Sequence, residues 1–172
     1  MGRCLMLLLL MLTSIAALSQ EAYSVLTETD STLTFYYDEQ RSTRSGTSYS
    51  LNTGDGVPDW YGNRFGVVRV VFDPSFAAAR PTSTHYWFNQ MYRLGSISGI
   101  EYLNTSSVTD MGGMFTYCQS LSSLDVSGFN TSSVTNMRGM FMGSRLPSID
   151  VRGFNTSSVT DMGGMFLSHH TL

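Results

Sequence analysis

Cys118 is the residue from which nucleophilic chemistry would have to start. The chain has two cysteines, and the other, Cys4, stands before an N-terminal apolar run. A thiol nucleophile needs a base within hydrogen-bond reach. The only histidines are His85, His169 and His170, and no spacing pairs any of them with Cys118. Cys118 also falls at a repeat position that should face a core, where a cysteine is an inert small apolar group. Thioethers offer a second chemistry, since clustered Met can hold Cu(I). Met111, Met114, Met137, Met140, Met162 and Met165 recur in pairs, each pair beside a Phe, which is the pattern of pliable core filling.

Two oxygen-rich patterns remain. Asn52 to Asp59 (NTGDGVPD) places oxygen side chains on alternate residues, as a calcium loop does, but it lacks the bidentate Glu and most of the acidic positions. A turn is expected there. Asn104, Asn130 and Asn155 each begin Asn-Thr-Ser, an N-glycosylation acceptor pattern. Strict register across three copies favours an internal ladder, with the side-chain amides satisfying backbone groups at a corner. No G-x-S-x-G, H-E-x-x-H or Walker loop occurs. The expectation is a non-enzymatic protein with no cofactor and no metal.

The elements that carry these residues follow from the rest of the 172-residue chain. All ten basic residues are Arg and the net charge is −3, which argues against a nucleic-acid or polybasic membrane-surface partner. Arg3 followed by the apolar run Leu5 to Leu12 and the small-residue site Ala17-Leu18-Ser19 reads as a secretory signal peptide over residues 1–19. The alternative is an uncleaved anchor. With the signal removed, no membrane insertion is expected.

Three segments nearly coincide. Asn104 to Phe115 is NTSSVTDMGGMF, Asn130 to Phe141 is NTSSVTNMRGMF, and Asn155 to Phe166 is NTSSVTDMGGMF. Such a period is the mark of stacked units that bury their apolar sides against one another. Leu124, Val126 and Phe129, and again Ile149, Val151 and Phe154, predict a short strand in each unit, with Gly128 and Gly153 at the corner. Ser107 to Asp110, with its copies, predicts a capped helical turn. A degenerate unit at Phe88, Leu94 and Ile97 precedes them, and Val67 to Phe72 predicts a strand that starts the stack. Residues 74–91 would cross back through short helices. Upstream, Ala22 to Leu26 and Thr32 to Tyr37 predict a hairpin around Thr29-Asp30-Ser31. The expected fold is a leucine-rich-repeat-like solenoid over residues 67–172, C-terminally incomplete, of short parallel strands alternating with short helical turns. A mostly-β N-terminal cap region, 20–66, precedes it.

The strand pattern Leu121-x-x-Leu124-x-Val126-x-x-Phe129-Asn130 and the NTSSVT-(D/N)-M-x-G-MF block resemble the BspA-like leucine-rich-repeat surface proteins of bacteria. Residues 23–73 resemble the leader region of that family. The resemblance implies an exported, adhesin-like protein that acts by binding an extracellular host protein or glycan. The outward strand positions Ser96, Ser98, Ser123, Asp125, Ser127, Ser148, Asp150 and Arg152 are the expected contact face. The last repeat stops after Phe166, before its strand, so edge-to-edge self-association at that end is also expected. The rival expectation is a truncated structural remnant of a longer array.

Overall fold

The computed structural model describes residues 19–168, so the segment expected as a signal peptide lies outside the described residues apart from Ser19, as do His169 and His170. Strands β1 (Glu21–Thr27) and β2 (Thr32–Asp38) form the expected hairpin, in antiparallel register from Glu21↔Asp38 to Thr27↔Thr32. Its turn is fixed locally: the Asp30 carboxylate accepts the Thr32 N–H at 3.2 Å, and Ser31 takes φ 55°. Strand β3 (Thr47–Ser50) adds to β1 antiparallel, while β4 (Arg69–Phe72) and β5 (Ser96–Ser98) add parallel on the other side. The sheet order is β3-β1-β2-β4-β5.

Alternation along β2 and β4 drives Leu33, Phe35, Val70 and Phe72 onto one buried face. Phe35 stacks on Phe72 at 4.6 Å and on Trp87 at 5.0 Å, and meets Trp60 edge-on at 5.3 Å. Trp60 comes from a 3-10 turn at Asp59–Asn63. Another, Pro74–Ala78, supplies Phe76 and is capped by the Asp73 carboxylate on the Ser75 N–H.

The expected solenoid of alternating strands and helical turns is not what forms. The regular structure is one small, open, mixed sheet of five strands, and no α-helix occurs among the described residues. Beyond β5 the only regular element among the described residues is the 3-10 turn Ile100–Tyr102. Three local causes explain the difference. Gly113, Gly139 and Gly164 take φ of 61°, 61° and 66°, which no helix tolerates. Asp110, Asn136 and Asp161 do not close capping boxes; each side chain accepts the N–H two residues on, a turn. The segments expected as strands also turn, because the Asp125 and Asp150 carboxylates take the Ser127 and Arg152 N–H groups. They still bury Val126 and Phe129, while Leu124, Ile149, Val151 and Phe154 are half-buried.

The units are nevertheless bonded to each other in series. Isolated parallel bridges join Ser83 to Asp110, Asp110 to Asn136, and Asn136 to Asp161. From each bridge, alternate N–H groups donate to carbonyls of the next unit: Thr84, Tyr86, Phe88 and Gln90 to Asp110, Gly112, Met114 and Thr116. The pattern repeats from Met111, Gly113, Phe115 and Tyr117, and again from Met137, Gly139, Phe141 and Gly143. The intervening N–H groups bond within their own unit, as Met114 to Met111 and Thr116 to Gly113. Val108, Met111, Met114, Phe115 and their counterparts Val134, Met137, Met140 and Phe141 pack inward at 0% exposure. In the last unit Met165 is 7% exposed and Met162 46%, so core filling describes five of the six paired methionines.

Two repeat positions show how tightly units fit. A Cβ on Gly113 would lie 2.1 Å from the Tyr86 ring, and one on Gly143 would lie 2.3 Å from the Tyr117 ring. At Gly128 and Gly153, the expected corner glycines, a Cβ would meet nothing within 4 Å. Gly113→Ala should therefore cost at least ~2 kcal/mol, from left-handed strain and overlap together. Gly128→Ala should stay within about 0.5 kcal/mol. Urea denaturation of both variants checks the contrast.

Candidate functional site

The zigzag backbone of the stacked units leaves a groove of about 330 Å³ along the direction of stacking. Tyr86, Met142 and Leu167 give it apolar surface, and His85, Asn89, Thr116, Asn136 and Arg138 give it polar surface. Its path stays open because glycines from three consecutive units line it. Tyr86 takes φ 57°, a conformation unusual for a bulky residue. The Tyr86 ring stacks with Tyr61 at 6.3 Å, and Tyr61 in turn donates its hydroxyl to Asn89 Oδ1 at 3.1 Å.

Polar side chains in the groove are held by one another. Asp110 Oδ1 receives three groups: His85 Nδ1 at 3.2 Å, Asn136 Nδ2 at 3.0 Å and the Gly112 N–H at 2.7 Å. Burial alone would push the Asp110 carboxyl up, but these hydrogen bonds and the His85 ring outweigh it and hold the carboxyl below the ordinary carboxylate range. Arg138 reaches Asp161 Oδ2 at 3.4 Å across the next unit. The contact is exposed and weak in isolation. Arg138 and Asp161 offset each other's charge, while Asp110 is held by hydrogen bonds.

The corner ladder differs from its expected form. The amide oxygens of Asn104, Asn130 and Asn155 each accept the N–H two residues on, within one turn. It is threonine that links the units: Thr105 Oγ1 donates to the Asn130 carbonyl and accepts the Asn130 N–H, and Thr131 does the same for Asn155. Asn130 and Asn155 stay exposed.

Residues 82–172 match the family described as Mycoplasma protein of unknown function, DUF285. The chain belongs to this family. The matched span covers more than half of the chain, begins at the first bonded unit and includes every residue lining the groove. It is not the BspA-like family that the motifs resemble. No curated protein and no solved structure matches.

All eight residues expected on the contact face are exposed. Ser96 and Ser98 lie on β5, whereas Ser123, Asp125, Ser127, Ser148, Asp150 and Arg152 lie in turns and irregular chain rather than on further strands of the sheet. Asp125 and Asp150 are near enough for their charges to interact. Arg152 grips Asp150 through both its guanidinium and its backbone N–H, holding that carboxyl down at about 2. Cys118 is fully buried and donates to the Phe88 carbonyl at 3.1 Å, and burial pushes its thiol well up. His85 bonds to Asp110 instead of serving as a base for Cys118. In the Asn52 loop, Asn52 Oδ1 accepts the Trp87 indole N–H at 2.6 Å and Nδ2 donates to the Gly56 carbonyl at 2.7 Å, so this side chain organises a turn.

The groove itself is not marked by any sequence motif. Its one legible sign is the column Tyr86, Gly113, Gly139, Gly164, which emerges only when the first unit is aligned on Ser83.

Asp110 makes a pH prediction. Its folded carboxyl titrates below the unfolded one, so its stabilisation is present at neutral pH and is lost as pH falls below about 4. Asp110→Asn keeps the turn, as Asn136 does in the next unit. It should lower stability by about 1 kcal/mol at pH 7 and flatten the acid limb of the stability profile. Thermal melts between pH 7 and pH 2.5 check both.

Proposed function

We propose that this chain is a non-enzymatic, exported binding module that contacts an extracellular protein or glycan. The observation that carries this reading is a division of labour among its polar side chains. The Thr, Asn and Asp side chains at the turns satisfy the backbone, as Thr105 and Thr131 do for their neighbours. Side chains such as Ser123 and Ser148 stand outside that framework, and the exposed Arg152 guanidinium pairs with Asp150 at the surface, so these groups can meet a partner without disturbing it. The apolar N-terminal segment supports export. The face is small for a stable protein interface, so single-molecule contacts would be weak and transient.

The test pairs location with binding. Cell fractionation should find a chain starting after Ser19 outside the cell. In surface plasmon resonance against immobilised extracellular-matrix proteins, Ser148→Ala with Arg152→Ala should weaken retention while the melting temperature is unchanged. Unchanged retention moves the contact face elsewhere. A cytosolic chain overturns the reading.

A further inference from the structure

We infer that the groove beside Tyr86 is a saccharide site that takes an extended, uncharged oligosaccharide laid along the direction of stacking. This rests on the binding-module reading and names a ligand class for it. Three observations converge. The first is the step. Phe115, Phe141 and Phe166, one from each unit, stack at centroid separations of 5.7 Å and 5.7 Å with planes within 4° and 12°. Hydrogen-bonded chain segments lie ~4.8 Å apart. Either distance is close to what one pyranose ring adds to an extended β-linked chain. An extended peptide advances only ~3.3 Å per residue and would drift out of register within two units.

The second observation is charge. Arg138 is set against Asp161, and the Asp110 carboxylate is taken up by hydrogen bonds with His85, Asn136 and the Gly112 N–H. What remains is directional hydrogen-bonding capacity with little net charge, which suits hydroxyl groups and disfavours a polyanion. Asp110 and Asn136 are already locked by mutual bonds, so the polar surface does not have to be ordered on binding.

The third is the alternation of surfaces. Tyr86 and Met142 set apolar patches among the polar groups Asn89 and Arg138, matching a sugar chain whose C–H and O–H groups also alternate. The groove volume of about 330 Å³ holds two or three rings, so affinity from one groove is modest.

The experiment is isothermal titration of the full chain with cellohexaose and chitohexaose, with a heparin hexasaccharide and an uncharged hexapeptide as comparators. Neutral β-linked hexasaccharides should bind, with little dependence on salt. Met142→Glu should abolish binding, and Arg138→Ser should weaken it about tenfold, the loss of one charge-assisted hydrogen bond. Arg138 is exposed and Met142 half-buried, and unchanged melting temperatures confirm that the variants fold. Arg145→Ser, exposed and away from the groove, should leave the titration unchanged. Binding of neither neutral hexasaccharide, tighter binding of heparin or peptide, or an affinity indifferent to Met142→Glu overturns the inference. Retention on matrix proteins that survives Met142→Glu leaves the binding module standing and removes the saccharide site. Saccharide binding by a chain that stays in the cytosol does the reverse.

Discussion

Everything in the second half of this protein depends on how a chain with almost no regular structure keeps its backbone polar groups bonded. Buried amide groups without partners are costly. Here each unit solves the problem with a two-residue alternation. One N–H points along the stack to the next unit, and the following one closes a turn within its own unit, as Gly113 and Met114 show. That alternation forces left-handed φ at fixed places, held by glycine at Gly113, Gly139, Gly143 and Gly164 and by Tyr86, Gln90, Tyr117 and Ser168 elsewhere. It also leaves a furrow along the stack in which side chains can converge.

The ladder needs a beginning, and the N-terminal region supplies it with side chains. Carbonyls that in later units accept a neighbour's N–H are met in the first unit by Asn52 Nδ2 on His85 and by Trp60 Nε1 on Trp87. The same two residues that close the ladder anchor the aromatic core of the sheet, since Trp60 packs on Phe35 and Asn52 holds the Trp87 indole. The five-stranded sheet and the repeated units therefore share one hydrophobic core rather than forming independent bodies.

Much of this organisation is legible in the residues. The hairpin follows from two alternating runs around Asp30, β4 from the VVRVVF run, and the units from a period that no shuffled sequence would hold. The internal form of a unit is not legible. Ser-x-x-Asp reads as a helix cap, and whether the carboxylate bonds back to a helix or forward to its own turn is decided by the neighbouring unit's carbonyls. Leu-x-Val reads as a strand, yet a strand needs a partner at bonding distance, and on that side the units meet through side chains and threonine hydroxyls instead. The groove is hidden for the same reason. His85, Asp110 and Asn136 lie 25 and 26 residues apart and belong together only across the stack.

The fit of Tyr86 over Gly113, and of Tyr117 over Gly143, gives the series a grammar. A unit bearing tyrosine at either position must be followed by one bearing glycine there, while a glycine-bearing unit accepts another like itself, as Gly113 is followed by Gly139. Copying a unit in the gene is thus harmless at some junctions and ruinous at others. Lengthening by duplication can proceed only through a unit bearing glycine at both positions, as the one with Gly139 and Gly143 does.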